Sequence, residues 1–471
     1  MKNITSPACS PNPNERERLY NIVDGLEVGV SVTANPYRLK LDDLFQMAAR
    51  INKKRGFLFV SKLLGKHIPV RPSLSLGAGA LLGCLYAERE LGLRNAASAE
   101  EVRLAFESEE QADLLYRKLM ERKIHLDEPT LFIGFAETAT ALGHSVFDAF
   151  EGNVTFMHTT RERIDDLVSE IDFEEEHSHA VAHRCYVRDP GIFRGASKIV
   201  LVDDEITTGK TALNIIRELH GKFGKTDYVV ASLLDWRSQA DRKRFVELEN
   251  ELGVRIRCLA LVEGSISVNG SPLEERAGAG REFGTQSSVH INRHDISSFF
   301  AHLDTEGEGY ADEERSVPYL MHTGRFGMNA RNGEELDREL GSAAEYLLSR
   351  RSGERILCLG TGEFMYIPMR IAELMGDGTY IQSTTRSPIH PLRKEEYAVS
   401  SAYRYDSVDG EDVANYMYNI HPGQYDEIFV FVEREYDLKN GESFERELAR
   451  IGIPIVHLVF FGKQNERRVT E

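Results

Sequence analysis

The chain is poor in the features that would tie it to a membrane, to nucleic acid or to a structural metal. None of its 471 residues fall in an uninterrupted apolar run approaching the roughly 18 needed to span a bilayer. Basic residues are the minority: 57 Lys and Arg stand against 75 Asp and Glu, for a net charge of −18. So acidic a chain repels phosphate backbones and anionic headgroups, which argues against nucleic-acid and membrane partners. There are five cysteines, at 9, 84, 185, 258 and 358, odd in number and never spaced C-x-x-C. That spacing offers no zinc site and fits a reducing cytosol, so the expected location is cytoplasmic. Met1–Asn14 is polar and proline-rich, without the apolar core of a signal peptide.

What is present is concentrated in Ile199–Thr211, I-V-L-V-D-D-E-I-T-T-G-K-T. Ile199 to Val202 read as a short buried strand with Asp203 and Asp204 at its C-terminal end. A Thr- and Gly-rich turn then opens a helix through Ala212, Leu213, Ile215 and Ile216. Backbone N–H groups and the hydroxyls of Thr207, Thr208 and Thr211 converge there on an anion at a helix N-terminus. The neighbouring acids suit a pair of adjacent hydroxyls, as on a ribose. Phosphate and diol in one loop point to a ribose 5-phosphate. Gly209-Lys210-Thr211 also looks like the end of a P-loop, but that motif needs its first glycine at position 204, where Asp204 would repel a triphosphate. A plain buried strand ending in a solvated turn is the other alternative, and packing does not call for this order of acids, threonines and glycine.

The stretch closely resembles the phosphoribosyl pyrophosphate (PRPP) signature of type I phosphoribosyltransferases. The resemblance implies that Asp203 and Asp204 hold the ribose, and magnesium through PRPP, and that Ile206, Thr207, Thr208, Gly209, Lys210 and Thr211 wrap the 5-phosphate. Purine-specific relatives often carry an Asp where this chain has Thr207; the threonine is similar to the orotate-type subgroup.

Earlier in the chain, Leu41–Ile51 has helical periodicity, Gly56–Val60 reads as a strand, and Leu74–Leu91 as a helix whose Gly77, Gly79 and Gly83 allow close packing. Between them, Ser61–Val70 carries Lys62, Lys66 and His67 and reads either as an anion pocket or as a solvated loop. Strand Thr130–Ile133 leads into a tight turn, Gly134-Phe135-Ala136-Glu137-Thr138. By the family resemblance, Phe135, Ala136, Glu137 and Thr138 contact pyrophosphate, although Glu137 stands where many relatives have a basic residue or a glycine. Strand Val154–His158 delivers Arg161, which falls where the family often places a basic residue near pyrophosphate.

Ser169–Ala182 occupies the position of the family's flexible catalytic loop, where His177 and His179 would close over the reacting carbon. A metal site from His177, His179 and His183 has only loose spacing, and a merely solvated loop is the other alternative. Tyr228–Leu234 reads as a strand ending at Trp236, the single tryptophan, and Arg237. At a strand's C-terminal edge these are candidate acceptor contacts, one by stacking and one by charge, against the plainer reading of a partly buried core residue. Val262–Val268 with Asn269-Gly270 reads as a hairpin.

Leu131–Arg161 and Ile356–Arg386 can be laid over one another. Both run from strand through Gly turn, helix and strand to Thr-Thr-Arg, with Glu137 matching Glu363. Glu427–Glu433 stands where the signature strand would follow, but no T-T-G-K-T comes after it. Thr385-Arg386-Ser387-Pro388 matches the motif of the TRSP domain, found behind phosphoribosyltransferase domains in bacteria, and Arg325-Phe326-Gly327-Met328 resembles another of its motifs. That resemblance implies a context of tellurium-resistance genes and a nucleoside-like metabolite.

The expected architecture is α/β: a type I phosphoribosyltransferase fold, Rossmann-like with a mostly parallel sheet, then a second α/β domain, read either as a degenerate repeat of the first or as a chance likeness between two βαβ units. The expected boundaries are a tail over 1–35, a phosphoribosyltransferase domain over 36–270, a linker over 271–315 and a TRSP-like domain over 316–471. The expected reaction is transfer of 5-phosphoribose from PRPP, with Mg2+, to an unidentified small-molecule acceptor. A homodimer is the expected assembly.

Overall fold

The structure, a computed structural model, describes residues 17–50, 55–93, 97–164, 167–174, 182–270, 289–303, 318–408, 413–436 and 438–463. Two sheets organise them. The first contains β1 (Glu17–Val23), β2 (Leu26–Ala34), β3 (Ile124–Gly134), β4 (Phe150–His158), β5 (Lys198–Ile206), β6 (Asp227–Asp235) and β7 (Arg255–Gly270). Their order is β1-β2-β7-β6-β5-β3-β4, with the short strand Met328–Asn329 closing the far edge. The middle five strands, β7-β6-β5-β3-β4, run parallel. Val200, Leu201, Val229 and Phe132 are buried to the last per cent or two, as expected for parallel strands covered on both faces. Numbered along the chain the five lie in the order 2-1-3-4-5, which puts the topological switch point between β3 and β5.

The second sheet contains β8 (His290–Asp295), β9 (Ile356–Gly360), β10 (Thr379–Ser383), β11 (Glu427–Val432) and β12 (Ile455–Phe460), all parallel, in the order β8-β12-β11-β9-β10. Four of its strands, β10-β9-β11-β12, repeat the order of β4-β3-β5-β6. β8 reaches the fifth place from upstream in the chain.

Three helices fix the first half around its site. α1 (Pro72–Leu91) packs on α2 (Ala139–Asp148), and the expected glycine packing is present: a Cβ at Gly79 would come within 2.3 Å of Ser145 Cβ, and one at Gly83 within 3.0 Å of Ala149 Cβ. α3 (Lys210–Phe223) follows β5. Among the described residues no helix is long and apolar enough to cross a membrane.

Several boundaries differ from expectation. Residues 17–34, placed in the tail, are β1 and β2, and β2 pairs antiparallel with β7. Arg255–Gly270 is therefore one continuous strand; Asn269 and Gly270 pair with Glu27 and Leu26 and do not turn a hairpin. β8 lies inside the expected linker. Helix covers only Leu41–Leu44 of the periodic stretch at 41–51, because Phe45–Ala49 pairs with Phe57–Ser61 as an antiparallel hairpin. The β2, β7 and β8 differences come from partner strands remote in sequence, which local periodicity does not report, and the one at Phe45–Ala49 from a nearby hairpin partner.

Candidate active site

The switch point between β3 and β5 is where the signature lies. Gly134 is in register with Val202, so Asp203, Asp204 and Glu205 extend just beyond the end of β3. All three are half-buried. The Asp204 N–H donates to Asp203 Oδ1 (2.9 Å). Burial raises the Asp204 carboxyl above the usual range, and does the same to Glu205, whose partner Arg55 opposes it at 2.6 Å.

After the buried Ile206, Thr207 and Thr208 lead to Gly209, whose φ of 72° turns the chain into α3. A Cβ there would come within 2.4 Å of the Phe245 ring, so glycine is required twice over. The Lys210 N–H lies 3.4 Å from Thr208 Oγ1, and the first helical bond is Leu213 N–H to the Gly209 carbonyl (3.0 Å). The N–H groups of the first turn thus have no intrahelical acceptor and carry the positive end of the 14-residue helix. Thr207, Thr208 and Thr211 stand half-buried at this helix start, the end that favours an anion.

The turn after β3 is differently disposed. The Phe135 N–H donates to the Val202 carbonyl (3.0 Å) and the Ala136 N–H to Thr159 Oγ1 (2.8 Å). These two amides are committed within the protein, so the part of the expected pyrophosphate contact that rests on them is corrected. The Ala136–Glu137 peptide is cis. Glu137 is buried and ion-paired with Lys66, itself 1% exposed, and Arg161 Nη1 lies 3.7 Å from its other oxygen. Burial alone would raise the Glu137 carboxyl; Lys66, Arg161 and Arg386 outweigh it and hold it down at about 2. The Lys66 loop is thus neither of the two expected alternatives. Gly65, at φ 61°, lets it pass against β10, where the Ser383 N–H donates to the Gly65 carbonyl (2.7 Å).

Arg161 stands at the end of β4, as expected, with its N–H donating to Glu363 Oε1 (2.8 Å). His177 and His179 lie outside the described residues. The strands on either side of them, Ile171–Glu174 and Ala182–Cys185, form a hairpin bridged to Thr160, just beyond β4. His183 is buried, with Nδ1 2.9 Å from Thr159 Oγ1 and its ring stacked on Phe173. Trp236 and Arg237 are not available as acceptor contacts. Trp236 is 2% exposed and its ring packs on Phe59 (5.5 Å between centroids) and Phe45, while Arg237 is buried in a bidentate pair with Asp235.

The second half repeats much of this frame. Gly360 is in register with Phe431 as Gly134 is with Val202. The Gly362 N–H donates to Thr384 Oγ1 (2.9 Å), as Ala136 does to Thr159. A Cβ at Gly360 would meet the Phe364 carbonyl at 2.5 Å, and one at Gly134 the Ala139 carbonyl at 2.6 Å. Thr385 is bridged to Tyr416 of a hairpin as Thr160 is to Arg184.

The register makes Glu433 the counterpart of Asp204, and there the halves part. Glu433 is held by Arg325, buried, through two bonds of 2.8 and 2.9 Å. Arg325, the first residue of the second TRSP-like motif, is thus committed to an internal ion pair. Sequence reasoning also missed Arg55 and Glu205 as partners, and it paired Glu363 with Glu137 in the repeat without assigning it a role.

Residues 44–265 match the family described as phosphoribosyl transferase (PRTase_2), and residues 322–448 match the TRSP domain C-terminal to PRTase_2. No curated protein matches the chain. Similar solved structures include the adenine phosphoribosyl transferase of Trypanosoma brucei in complex with AMP, pyrophosphate and ribose-5-phosphate: 14% identity, 53% of this chain, 87% of that one, TM-score 0.29. The adenine phosphoribosyltransferase of Rhodothermus marinus DSM 4252 is 14% identical over 34% of this chain and 84% of its own, at TM-score 0.21. The Giardia lamblia enzyme complexed with 9-deazaadenine is 15% identical over 28% and 69%, at TM-score 0.19. In family terms the chain joins a match to a phosphoribosyl transferase domain, over 44–265, to a match to the TRSP domain that stands behind it.

Proposed function

We propose that the protein is a phosphoribosyltransferase that binds PRPP with magnesium and transfers 5-phosphoribose to an acceptor nitrogen, releasing pyrophosphate. The observation that carries this reading is the placement of Asp203 and Asp204 beside the Thr207–Thr211 cradle, at the switch point of a parallel sheet. The cradle holds the 5-phosphate. The two carboxylates accept from the ribose hydroxyls and keep the sugar from turning as the C1–oxygen bond lengthens. Their negative charge, close to the ring, favours the positive charge that gathers on C1 in the transition state.

A divalent cation suits this donor set. Two adjacent carboxylates, one of them raised by burial, are relieved by a cation arriving with the ligand. When bound, magnesium would neutralise the leaving pyrophosphate. Arg161 serves the same end of the ligand. The segment that includes His177 and His179 is proposed to exclude water, the family's role for it. By the TRSP resemblance, the product is proposed to be a nucleoside-like metabolite linked to tellurium resistance.

PRPP with Mg2+ should raise the melting temperature; at a hundredfold excess over Kd a ligand adds about 2.7 kcal/mol. The double variant Asp203→Asn, Asp204→Asn should lose the shift, and an equal shift in both proteins would refute the ribose site. A second reading, a PRPP-binding sensor without turnover, is favoured by one observation: Glu137 neutralises Lys66 at the pyrophosphate turn. Pyrophosphate release in the presence of candidate acceptors separates the two.

A further inference from the structure

The two switch points face each other, and their turns exchange contacts. Lys66, paired with Glu137, also donates to the Gly362 carbonyl (3.2 Å) in the turn of the second half. Thr140, in the first turn of α2, donates to the Glu363 carbonyl (3.1 Å). The Glu363 side chain crosses to the end of β4, where Oε2 accepts from the Thr160 hydroxyl (2.5 Å) and Oε1 from the Arg161 N–H (2.8 Å). One carboxylate of the second half thus holds both residues that end β4.

We infer that Glu363 is a positioning residue for the phosphoribosyltransferase site, supplied by the second half, which sets Arg161 where PRPP's pyrophosphate binds. The inference rests on the proposed PRPP reading. Glu363 itself, an anion, would not touch pyrophosphate; it acts through Arg161. Two charge-assisted hydrogen bonds to the end of one strand fix the backbone from which the guanidinium projects. Arg161 Nη1 already lies 3.7 Å from Glu137, so its side chain is held over the same turn. The 5-phosphate cradle takes no part in this arrangement. Losing Glu363 should therefore weaken one end of the ligand only.

The test is calorimetric titration of the full-length chain with three probes: PRPP with Mg2+, pyrophosphate with Mg2+, and ribose 5-phosphate. Glu363→Ala should weaken PRPP and pyrophosphate about tenfold or more, the usual scale for charged hydrogen bonds, and leave ribose 5-phosphate within about twofold. Glu363→Gln, which keeps the shape and one acceptor, should fall between wild type and alanine. Thr160→Val, which removes only a hydroxyl, should give a smaller loss of the same kind and serves if the alanine variant does not fold. Unchanged PRPP binding, or equal weakening of all three probes, would overturn the role of Glu363 while leaving the ribose site standing. A wild-type chain that binds none of the probes would remove the PRPP reading and this inference with it.

Discussion

The two halves share one frame and differ at the position that follows the central strand. Each has the same strand order, the same glycine turn and the same Thr-Thr-Arg strand end. In the first half Asp203, Asp204 and Glu205 take this position, with Arg55 on Glu205 at 2.6 Å, and the Thr207–Thr211 loop follows. In the second, Arg325 fills the corresponding place and is bound by Glu433. Glu162 lies 3.8 Å from Arg325 and also accepts from Tyr319 (2.6 Å) and Arg434 (2.5 Å). The same fold position thus serves as a candidate ligand site in one half and as an internal fastening in the other. The fastening involves both halves, since Glu162 follows β4 while Arg325 and Glu433 belong to the second half. A chain cut near residue 305 would lose all three partners of Glu162, and would not leave the first half intact.

The comparison is broken most severely at Arg325. Arg325→Ala should leave Glu433 buried without its partner and cost about 3–5 kcal/mol, read by denaturant unfolding. A cost below about 1 kcal/mol would mean that the second crevice is not closed by this pair.

Acid should act next. Glu137 has a folded-state pKa of about 2 against an ordinary 4.5, so its contribution is complete above about pH 4.5 and is lost as pH falls towards 2. The loss is on the order of 3 kcal/mol. Glu137→Gln should flatten stability over that window, and an unchanged pH profile would show that the Lys66 pair does not contribute.

Glycine substitutions sharpen the repeat itself. Gly134→Ala and Gly360→Ala each push a Cβ against a backbone carbonyl, and each should cost about 1–3 kcal/mol. The costs should match, while only Gly134→Ala should disturb PRPP binding. Unequal costs would mean the turns are not equivalent.

The smallest stability effect belongs to Asp204→Asn. The Asp204 carboxyl is raised in the fold, so its charge lowers stability as pH rises through the folded pKa, and removing it should change neutral-pH stability by less than about 1 kcal/mol, in the stabilising direction. Its counterpart Glu433→Gln should destabilise instead. Loss of stability in both would erase the distinction between a ligand site and a fastening.

The frame of the first candidate site was legible because its pattern is local. Asp203 to Thr211 are contiguous, and their order of strand, acids, glycine turn and helix is set within one loop. The repeat was legible for the same reason, since each half spells its own turn and strand end. Trp236 was misread because its position at a strand edge says where it lies but not that Phe59 and Phe45 cover it. The β1–β2 hairpin and β8 were missed because their partners, β7 and β12, lie far along the chain.

By itself the sequence determined the strand, acid pair, glycine turn and helix of Ile199–Thr211 and the tandem α/β plan, all written in short-range patterns of burial, glycine and hydroxyl. Only the tertiary structure decided that Arg325 would seal the second crevice and that Glu363 would reach across to Arg161. Those are pairings between segments more than 100 residues apart, Arg325 with Glu433 and Glu363 with Arg161. A buried charge must find an opposite charge or donor wherever folding brings one near, and sequence distance does not constrain that choice.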